Sequence, residues 1–329
     1  MTVYFSTDLA VALTLLAATM WGSWMQIVKH RGGYPITGIL FLLYTFSLLL
    51  VGGVTATFAP CLLEESFWSV TARNLPVVRE ILFGGALMGA GMFLSLVVMN
   101  NAGLLLATTI SGAVGTLLGL ATSLLKEGIP QRPGAVPLVL LIATVSIVAG
   151  LVCNAASQSR DRDMGKRVGD NTVTLPLILM ALVAAACGNG WSIGTASGTA
   201  NRLPPILTCF YMALGCFLSA MVICGISFTV NRQWKQVLCL GDYPKKPLLL
   251  GVIAALCHYG GNLISIYSMP TLSATVSFLF GRFATAVTIF WGLFYGEFAG
   301  SSRRTKIILT IGILLYFLNF IPLGIYTYG

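Results

Sequence analysis

Leu125-Lys126-Glu127-Gly128 and Tyr295-Gly296-Glu297-Phe298 each close a hydrophobic run with a glutamate, and the two glutamates stand 170 residues apart. Sliding the second half of the chain over the first at that offset brings Trp21 onto Trp191, Ser111-Gly112 onto Gly281-Arg282, and Gln131 to Arg132 onto the polar stretch around Ser301 to Arg303. With a slip of one residue, Tyr34-Pro35 falls on Leu203-Pro204 and Phe41 on Phe210. Residue identities are sparse; the correspondence lies in the order and length of the hydrophobic runs. Each half carries about five of them, and an odd number of crossings sets two halves in opposite senses across a bilayer, an inverted repeat.

Composition gives the medium in which such runs fold. At 57% hydrophobic and 9% charged residues, with mean hydropathy +0.88, the 329 residues hold too little polar surface to coat a water-soluble globule. The chain reads as an integral membrane protein. Apolar runs of the length needed to cross about 30 Å of hydrocarbon fall at about 9 to 28, 36 to 58, 80 to 99, 103 to 125, 136 to 154, 174 to 198, 205 to 229, 247 to 268, 272 to 295 and 306 to 327. The expected fold is an all-α membrane bundle of ten transmembrane helices in two inverted five-helix repeats. The first repeat is expected over 1–156, a cytoplasmic linker over 157–172 and the second repeat over 173–329.

The net charge of +9 does not indicate a nucleic-acid partner, because the Lys and Arg residues lie in short loops and not on one basic face. Lys29, Arg31, Arg160, Arg162, Lys166, Arg167, Arg232, Lys235, Lys245, Lys246, Arg303, Arg304 and Lys306 all fall on one side of the expected bundle. Arg73, Arg79, Lys126, Arg132 and Arg202 fall on the other. The positive-inside rule then places both termini outside the cytoplasm, and the expected location is a bacterial inner membrane or plasma membrane. The N-terminus has no basic segment before its first run and reads as a first helix, not a cleaved signal.

Six of the eight cysteines, Cys153, Cys187, Cys209, Cys216, Cys224 and Cys257, sit inside spans without Cys-x-x-Cys spacing, and read as small apolar packers. No phosphate-binding glycine loop, no His-Glu-x-x-His and no Ser/His/Asp grouping is visible, so no cofactor, no metal and no catalytic residue is expected. The longest connections, about 59 to 79, 155 to 173 and 230 to 246, cannot house an ATPase domain. Any transport is therefore secondary or passive. Gly85 and Gly89, Gly112, Gly115 and Gly119, and Gly194 and Gly198 read as close-packing positions, while Gly188-Asn189-Gly190 is set apart as an irregular turn beside a ligand.

Polar groups at mid-depth carry the functional signal, since burying them unpartnered costs several kcal/mol. Arg282 lies about ten residues into the ninth run, roughly 15 Å from the nearer surface at about 1.5 Å per residue. All ten acids (Asp8, Glu64, Glu65, Glu80, Glu127, Asp161, Asp163, Asp170, Asp242 and Glu297) fall in loops or at run ends, so none is placed to neutralise it. An anionic solute would supply the counter-charge; backbone carbonyls, water and side-chain oxygens in a polar cavity are the alternative. His258 and Asn262 are four apart and share a helical face. An imidazole titrates in the physiological range, which makes His258 a candidate proton-coupling site as well as a pocket residue. Its alternative is a single hydrogen bond across a helix interface. Trp21 and Trp191 at matched positions, with Asn189 nearby and Trp24 and Tyr44 able to join them, fit flat apolar walls and a few hydrogen bonds around a small polar solute; packing and interfacial anchoring are the alternatives. Glu127 and Glu297 are expected to cap helix ends or pair with loop cations.

Met20-Trp21-Gly22-Ser23, Gly261-Asn262-Leu263 with Tyr267-Ser268-Met269-Pro270, Ala274-Thr275-Val276-Ser277-Phe278 and Tyr295-Gly296-Glu297 together resemble the glucose/ribose porter family of the drug/metabolite transporter superfamily. Arg160-Asp161-Arg162-Asp163-Met164-Gly165 is similar to the equivalent loop of the rhamnose-proton symporters. The resemblance covers essentially the whole chain and is most specific from about 251 to 306. It implies ten helices in two inverted five-helix repeats, a central cavity, and a small organic substrate, often a sugar moved with protons. Where the glucose-type members carry a neutral amide in the ninth span, this chain has Arg282, which favours a solute with a carboxylate or several strong acceptors. The small multidrug members resemble it less, since they use a glutamate in their first helix and no acid lies here between Asp8 and Glu64.

The expected function is a secondary active transporter importing a small polar, sugar-like or carboxylated metabolite by alternating access, with protons as the candidate coupling ion. A ureide or nucleobase permease and a metabolite or drug exporter share the fold, and direction cannot be read from residues. A non-transporting membrane sensor would have no need of a mid-membrane Arg and His. An enzyme is excluded for want of a nucleophile, a metal cage or paired carboxylates. The expected partners are the solute, protons as the candidate coupling ion, and the lipid bilayer.

Overall fold

The structure, a computed structural model, describes residues 4–102, 104–128, 134–164 and 175–328, with residues 25, 28, 29, 99–102 and 104–112 described by backbone only. All regular structure among the described residues is helical. The chain runs through α1 (Thr7–Trp24), a 3-10 turn (Met25–His30), α2 (Ile36–Leu62), α3 (Phe67–Arg73), α4 (Leu75–Ala102), α5 (Leu104–Glu127) and α6 (Ala135–Asp163). It continues through α7 (Leu175–Gly188), α8 (Gly190–Ala200), α9 (Pro205–Val230), α10 (Trp234–Val237), α11 (Lys246–Leu272), α12 (Ala274–Gly281), α13 (Ala284–Phe294), α14 (Arg303–Leu318) and α15 (Phe320–Tyr328). Eight stretches are long and apolar enough to cross a membrane: Ile36–Leu62, Leu75–Val98, Ala135–Asp163, Leu175–Ala200, Pro205–Val230, Lys246–Leu272, Ala274–Phe294 and Arg303–Tyr328. These are the spans of an integral membrane protein. Within the same bundle α1 lies along α11 and α13, and α5 along α7 and α8.

Helix ends gather at two faces. At one, Phe5 N–H donates to Thr271 Oγ1 (3.1 Å), Tyr328 donates to Asp8 (2.8 Å) and Lys126 pairs with Glu80. At the other, His30 meets Tyr295 (3.3 Å), Arg160 pairs with Glu297 (3.0 Å) and Ser302 N–H donates to Asp163 (2.9 Å). Helix starts follow local chemistry. Pro35 and Pro204 are N-cap residues of α2 and α9, with φ −57° and −52° and extended ψ, because proline fixes φ and its missing N–H is not needed ahead of a first helical turn. Close approach follows the glycines: a Cβ at Gly84 would stand 2.6 Å from Gly190 O, and one at Gly89 2.9 Å from Cys216 O, so α4 touches α8 and α9 backbone to backbone.

The helices differ from the hydrophobic runs in three ways. Helix α6 continues through residues 157–163, the start of the stretch expected as a linker, because its last two turns are polar and helical but not apolar. Three runs are each interrupted, at Asn189 between α7 and α8, at Arg282-Phe283 between α12 and α13 and at Asn319 between α14 and α15. The junction between α11 and α12 is one residue, Ser273, at φ +75°. Gln131, Arg132, Lys166, Arg167 and Asp170 lie outside the described residues, as do the side chains of Lys29 and Ser111.

Candidate functional site

Helices α1 and α11 lie side by side and antiparallel, which sets Trp21 opposite Asn262 and Trp24 opposite His258. Trp21 Nε1–H donates to Asn262 Oδ1 at 2.8 Å and lies 3.2 Å from His258 O. The Trp24 and His258 rings are 5.1 Å apart. The Trp21 indole fits because two glycines flank it: a Cβ at Gly261 would stand 2.8 Å from its Nε1, and one at Gly281 would stand 2.9 Å from its benzo ring. Its edge meets the face of Trp191, with ring centroids 5.8 Å apart at 81°. That T-shaped contact is the favoured arrangement of two ring quadrupoles.

Behind Trp21 lies a closed cluster of polar groups. His258 is flanked by Tyr44 and Tyr259, with ring centroids at 6.1 Å and 6.2 Å. Tyr44 and Tyr259 are 0% exposed, Asn262 1% and His258 5%. Neither ring nitrogen of His258 nor Asn262 Nδ2 has a hydrogen-bond partner, and the two phenol hydroxyls lie against the Cys216 thiol. A buried group left unpartnered costs roughly 1–3 kcal/mol, so this cluster is a concentration of unsatisfied bonding capacity.

On the far side of Trp191 is a half-open cavity of about 190 Å³ between α4, α5, α7, α8 and α12, with Met88, Met92, Asn189, Trp191, Phe278 and Arg282 among its walls. Arg282 enters it from the interruption between α12 and α13, its guanidinium carbon 4.1 Å from the centroid of the Phe278 ring. Phe278 is one helical turn before it, hence on the same face. Arg282 Nε has no hydrogen-bond partner, and among the described residues no carboxylate lies in ion-pair range of it. Asn189 Nδ2–H donates to Thr122 Oγ1 at 2.8 Å while its Oδ1 is unpartnered. The interruption at Gly188-Asn189-Gly190 thus brings an amide to the cavity wall. Gly115, read from the sequence as a packing position, also lines this cavity, and a Cβ there would meet nothing within 4 Å.

The two glutamates of the opening motif do other work. Glu127 accepts from Ala274 N (2.7 Å), Thr275 N (3.0 Å) and Thr275 Oγ1 (2.9 Å), capping the first turn of α12 from another helix. A carboxylate there satisfies orphan N–H groups and opposes the positive end of the helix dipole. Glu297 accepts from Arg160. Neither lines the cavity.

The eight residues singled out by sequence thus fall into two adjoining groups. Tyr44, Trp24, His258 and Asn262 form the closed cluster, Asn189, Trp191 and Arg282 the cavity, and Trp21 touches both. Phe278, Met88, Met92, Ser192 and Tyr259 belong to the same surroundings and were not anticipated. Phe278 was within reach, since its spacing from Arg282 puts an aromatic face beside a cation. The methionines and Tyr259 carry no signal that separates them from core packing. Among the described residues no group of three or more His, Cys, Asp or Glu could hold a metal ion.

No family model and no curated protein matches the chain. Among solved structures, one crystal structure of a protein superposes with TM-score 0.60 at 15% identity, over 98% of this chain and 99% of that one. That likeness concerns the fold alone.

Proposed function

We propose that this chain is a secondary transporter of the drug/metabolite transporter superfamily, importing a small polar solute that carries a carboxylate. In this reading ten helices, α1 included, cross the membrane as two inverted five-helix repeats, with both termini outside the cytoplasm of a bacterial cell, and the solute enters by alternating access. Packing supports the repeat. Three extensive contacts have counterparts in the other half: α1 with α11 and α4 with α7 and α8; α4 with α9 and α11 with α2; α5 with α7 and α8 and α1 with α12 and α13. The matched residues Trp21 and Trp191 touch each other, as residues on a two-fold axis must.

Arg282 carries the substrate assignment. Taking a guanidinium out of water costs several kcal/mol even after relaxation. A ring face returns about 0.5–2 kcal/mol, and Nε is left without a partner. A carboxylate in the cavity, accepting from the fork of the guanidinium, supplies the remainder, while Asn189 and Ser192 offer hydrogen bonds to hydroxyls on the same solute. His258 is the group proposed to carry the coupling proton. A ureide or nucleobase is the competing solute, favoured by the two indoles and the amides of Asn189 and Asn262.

Thermal shift of the purified protein with sugars, sugar acids and nucleobases tests the assignment, because a solute binding only the folded form raises the melting temperature. The expected result is stabilisation by sugar acids. Stabilisation by nucleobases alone replaces the carboxylate reading with the competing one.

A further inference from the structure

We infer that Phe278 is a gate between the cavity at Arg282 and a second cavity at another level of α5, α8 and α12, and that Glu127 latches it. The inference rests on the reading of the chain as a transporter, and it assigns the path of the solute: past α12 from the face that carries Lys126.

The two cavities share three helices. The first is lined by Gly115 of α5, Trp191 and Ser192 of α8 and Phe278 of α12. The second, of about 400 Å³, opens at the helix ends and is lined by Lys126 and Glu127 at the end of α5, Thr199 and Ala200 at the end of α8 and Ser273 ahead of α12. Gly119 stands between these levels on α5, and the Phe278 ring fills the notch it leaves. A Cβ at Gly119 would stand 2.3 Å from the ring and 2.9 Å from Ser192 Oγ. The three residues thus meet where a path between the cavities would run.

Helix α12, which carries the ring, is a separable unit. It is eight residues long, follows α11 through Ser273 at φ +75°, and ends at the interruption at Arg282-Phe283. Hinges are a few residues at element ends that absorb changes in φ and ψ, and α12 has such a residue or break at each end. Its first turn is held from α5, where Glu127 accepts from Ala274 N, Thr275 N and Thr275 Oγ1. Glu80 of α4 ties the same end together, accepting from Ser197 of α8 (2.7 Å) and pairing with Lys126. Because Glu127 lines the second cavity, water can replace its bonds to α12 when that helix tilts. The face of the Phe278 ring lies against the Arg282 guanidinium, so one movement of α12 opens the path and shifts the anchor.

Cysteine accessibility in sealed membranes tests the gate with no solute present. Gly115→Cys puts a thiol on the wall of the first cavity, where a Cβ meets nothing within 4 Å, and Ala200→Cys puts one in the second. A membrane-impermeant methanethiosulfonate reagent is added to intact cells and to inverted vesicles of the expression host, and labelling at each position is mapped by mass spectrometry. The preparation in which Ala200→Cys reacts presents the Lys126 face. From that face Gly115→Cys is expected to react at least tenfold more slowly than from the other. Adding Phe278→Ala is expected to speed that slow reaction at least tenfold, and adding Glu127→Ala several-fold, with the rate from the opposite face little changed. Gly119→Ala, which pushes the ring from its notch without removing it, gives the same result where Phe278→Ala does not fold.

Equal reaction of Gly115→Cys from both faces, a slow rate left unchanged by all three changes, or rates that rise alike from both faces overturn the gate; the last marks loosened packing and not a path. If the gate is overturned while Arg282→Gln still lowers uptake of a sugar acid in proteoliposomes, the transporter reading stands. A wild-type chain that takes up no sugar acid, sugar or nucleobase overturns that reading, and the inferred path with it.

Discussion

Trp21 covers His258 and Asn262 of α11, and Trp191 shares a cavity wall with Met88 and Met92 of α4. At the offset of 170 that relates the proposed repeats, His258 corresponds to Met88 and Asn262 to Met92. The scaffold is thus the same twice, an indole beside the same two positions of an antiparallel neighbour, but one copy is polar and the other apolar. Packing alone does not call for the polar version, since methionine fills the equivalent space in the other half. In the proposed reading, this costly polar difference in one half marks the site of solute recognition, and Arg282, whose match is Gly112, follows the same asymmetry.

The strongest way to break this comparison is to make the halves alike. The double change His258→Met and Asn262→Met removes two sets of hydrogen bonds to solute, each about 1–1.5 kcal/mol, and should lower uptake about 100-fold. It should change the melting temperature little, because the bond that Asn262 accepts from Trp21 is lost while buried atoms without partners are removed. A large drop in melting temperature with proportionate loss of uptake would make the polar pair structural. His258→Asn sharpens the comparison by separating bonding from titration: pH-dependent uptake should become flat while uptake at a fixed pH persists. Unchanged pH dependence removes this residue from coupling.

The glutamates of the opening motif offer a smaller contrast. Glu127→Ala removes three hydrogen bonds from the first turn of α12, leaving the Ser273 hydroxyl as its side-chain cap, and should cost about 1–2 kcal/mol, read as a lowered melting temperature. Glu297→Ala loses a partly exposed pair with Arg160 and should cost about 1 kcal/mol or less. Equal losses would contradict the assignment of Glu127 as a cap. Smallest is Glu65, at the exposed face, whose carboxyl is held below its usual range by the hydrogen bond from Arg73 and that from Ser69. A depressed carboxyl contributes stability above its unfolded value, and that contribution is lost as pH falls through the folded one. Glu65→Gln should therefore lower stability slightly at pH 7 and cancel a small part of the loss below about pH 4.5.

Hydrophobic runs make the helices legible, because the bilayer demands a length that composition reveals; the run at 247 to 268 lies inside Lys246–Leu272. They measure apolar length and not helix length, so the polar last turns of α6 read as linker. The short helices α3 and α10 lie in loops and carry no such signal. The cost of polar atoms at depth made His258, Asn262 and Arg282 legible. Their division into two groups was not, because it depends on which face of α1 meets α11, and Trp21 and Trp24 fit several registers. Nor was the interruption at Arg282-Phe283 visible, since neither residue is a helix breaker and the break follows from tertiary packing.

The central claim is that the cation of Arg282 awaits the anion of a solute, and selectivity measures it most directly. Uptake of a sugar acid and of its uncharged sugar is compared in proteoliposomes of wild type and Arg282→Gln. The account predicts loss of acid uptake by about 10- to 100-fold, the worth of a charge-assisted bond of about 1.5–3 kcal/mol, with far less change for the sugar. Equal loss for both solutes would make Arg282 a structural arginine and contradict the account.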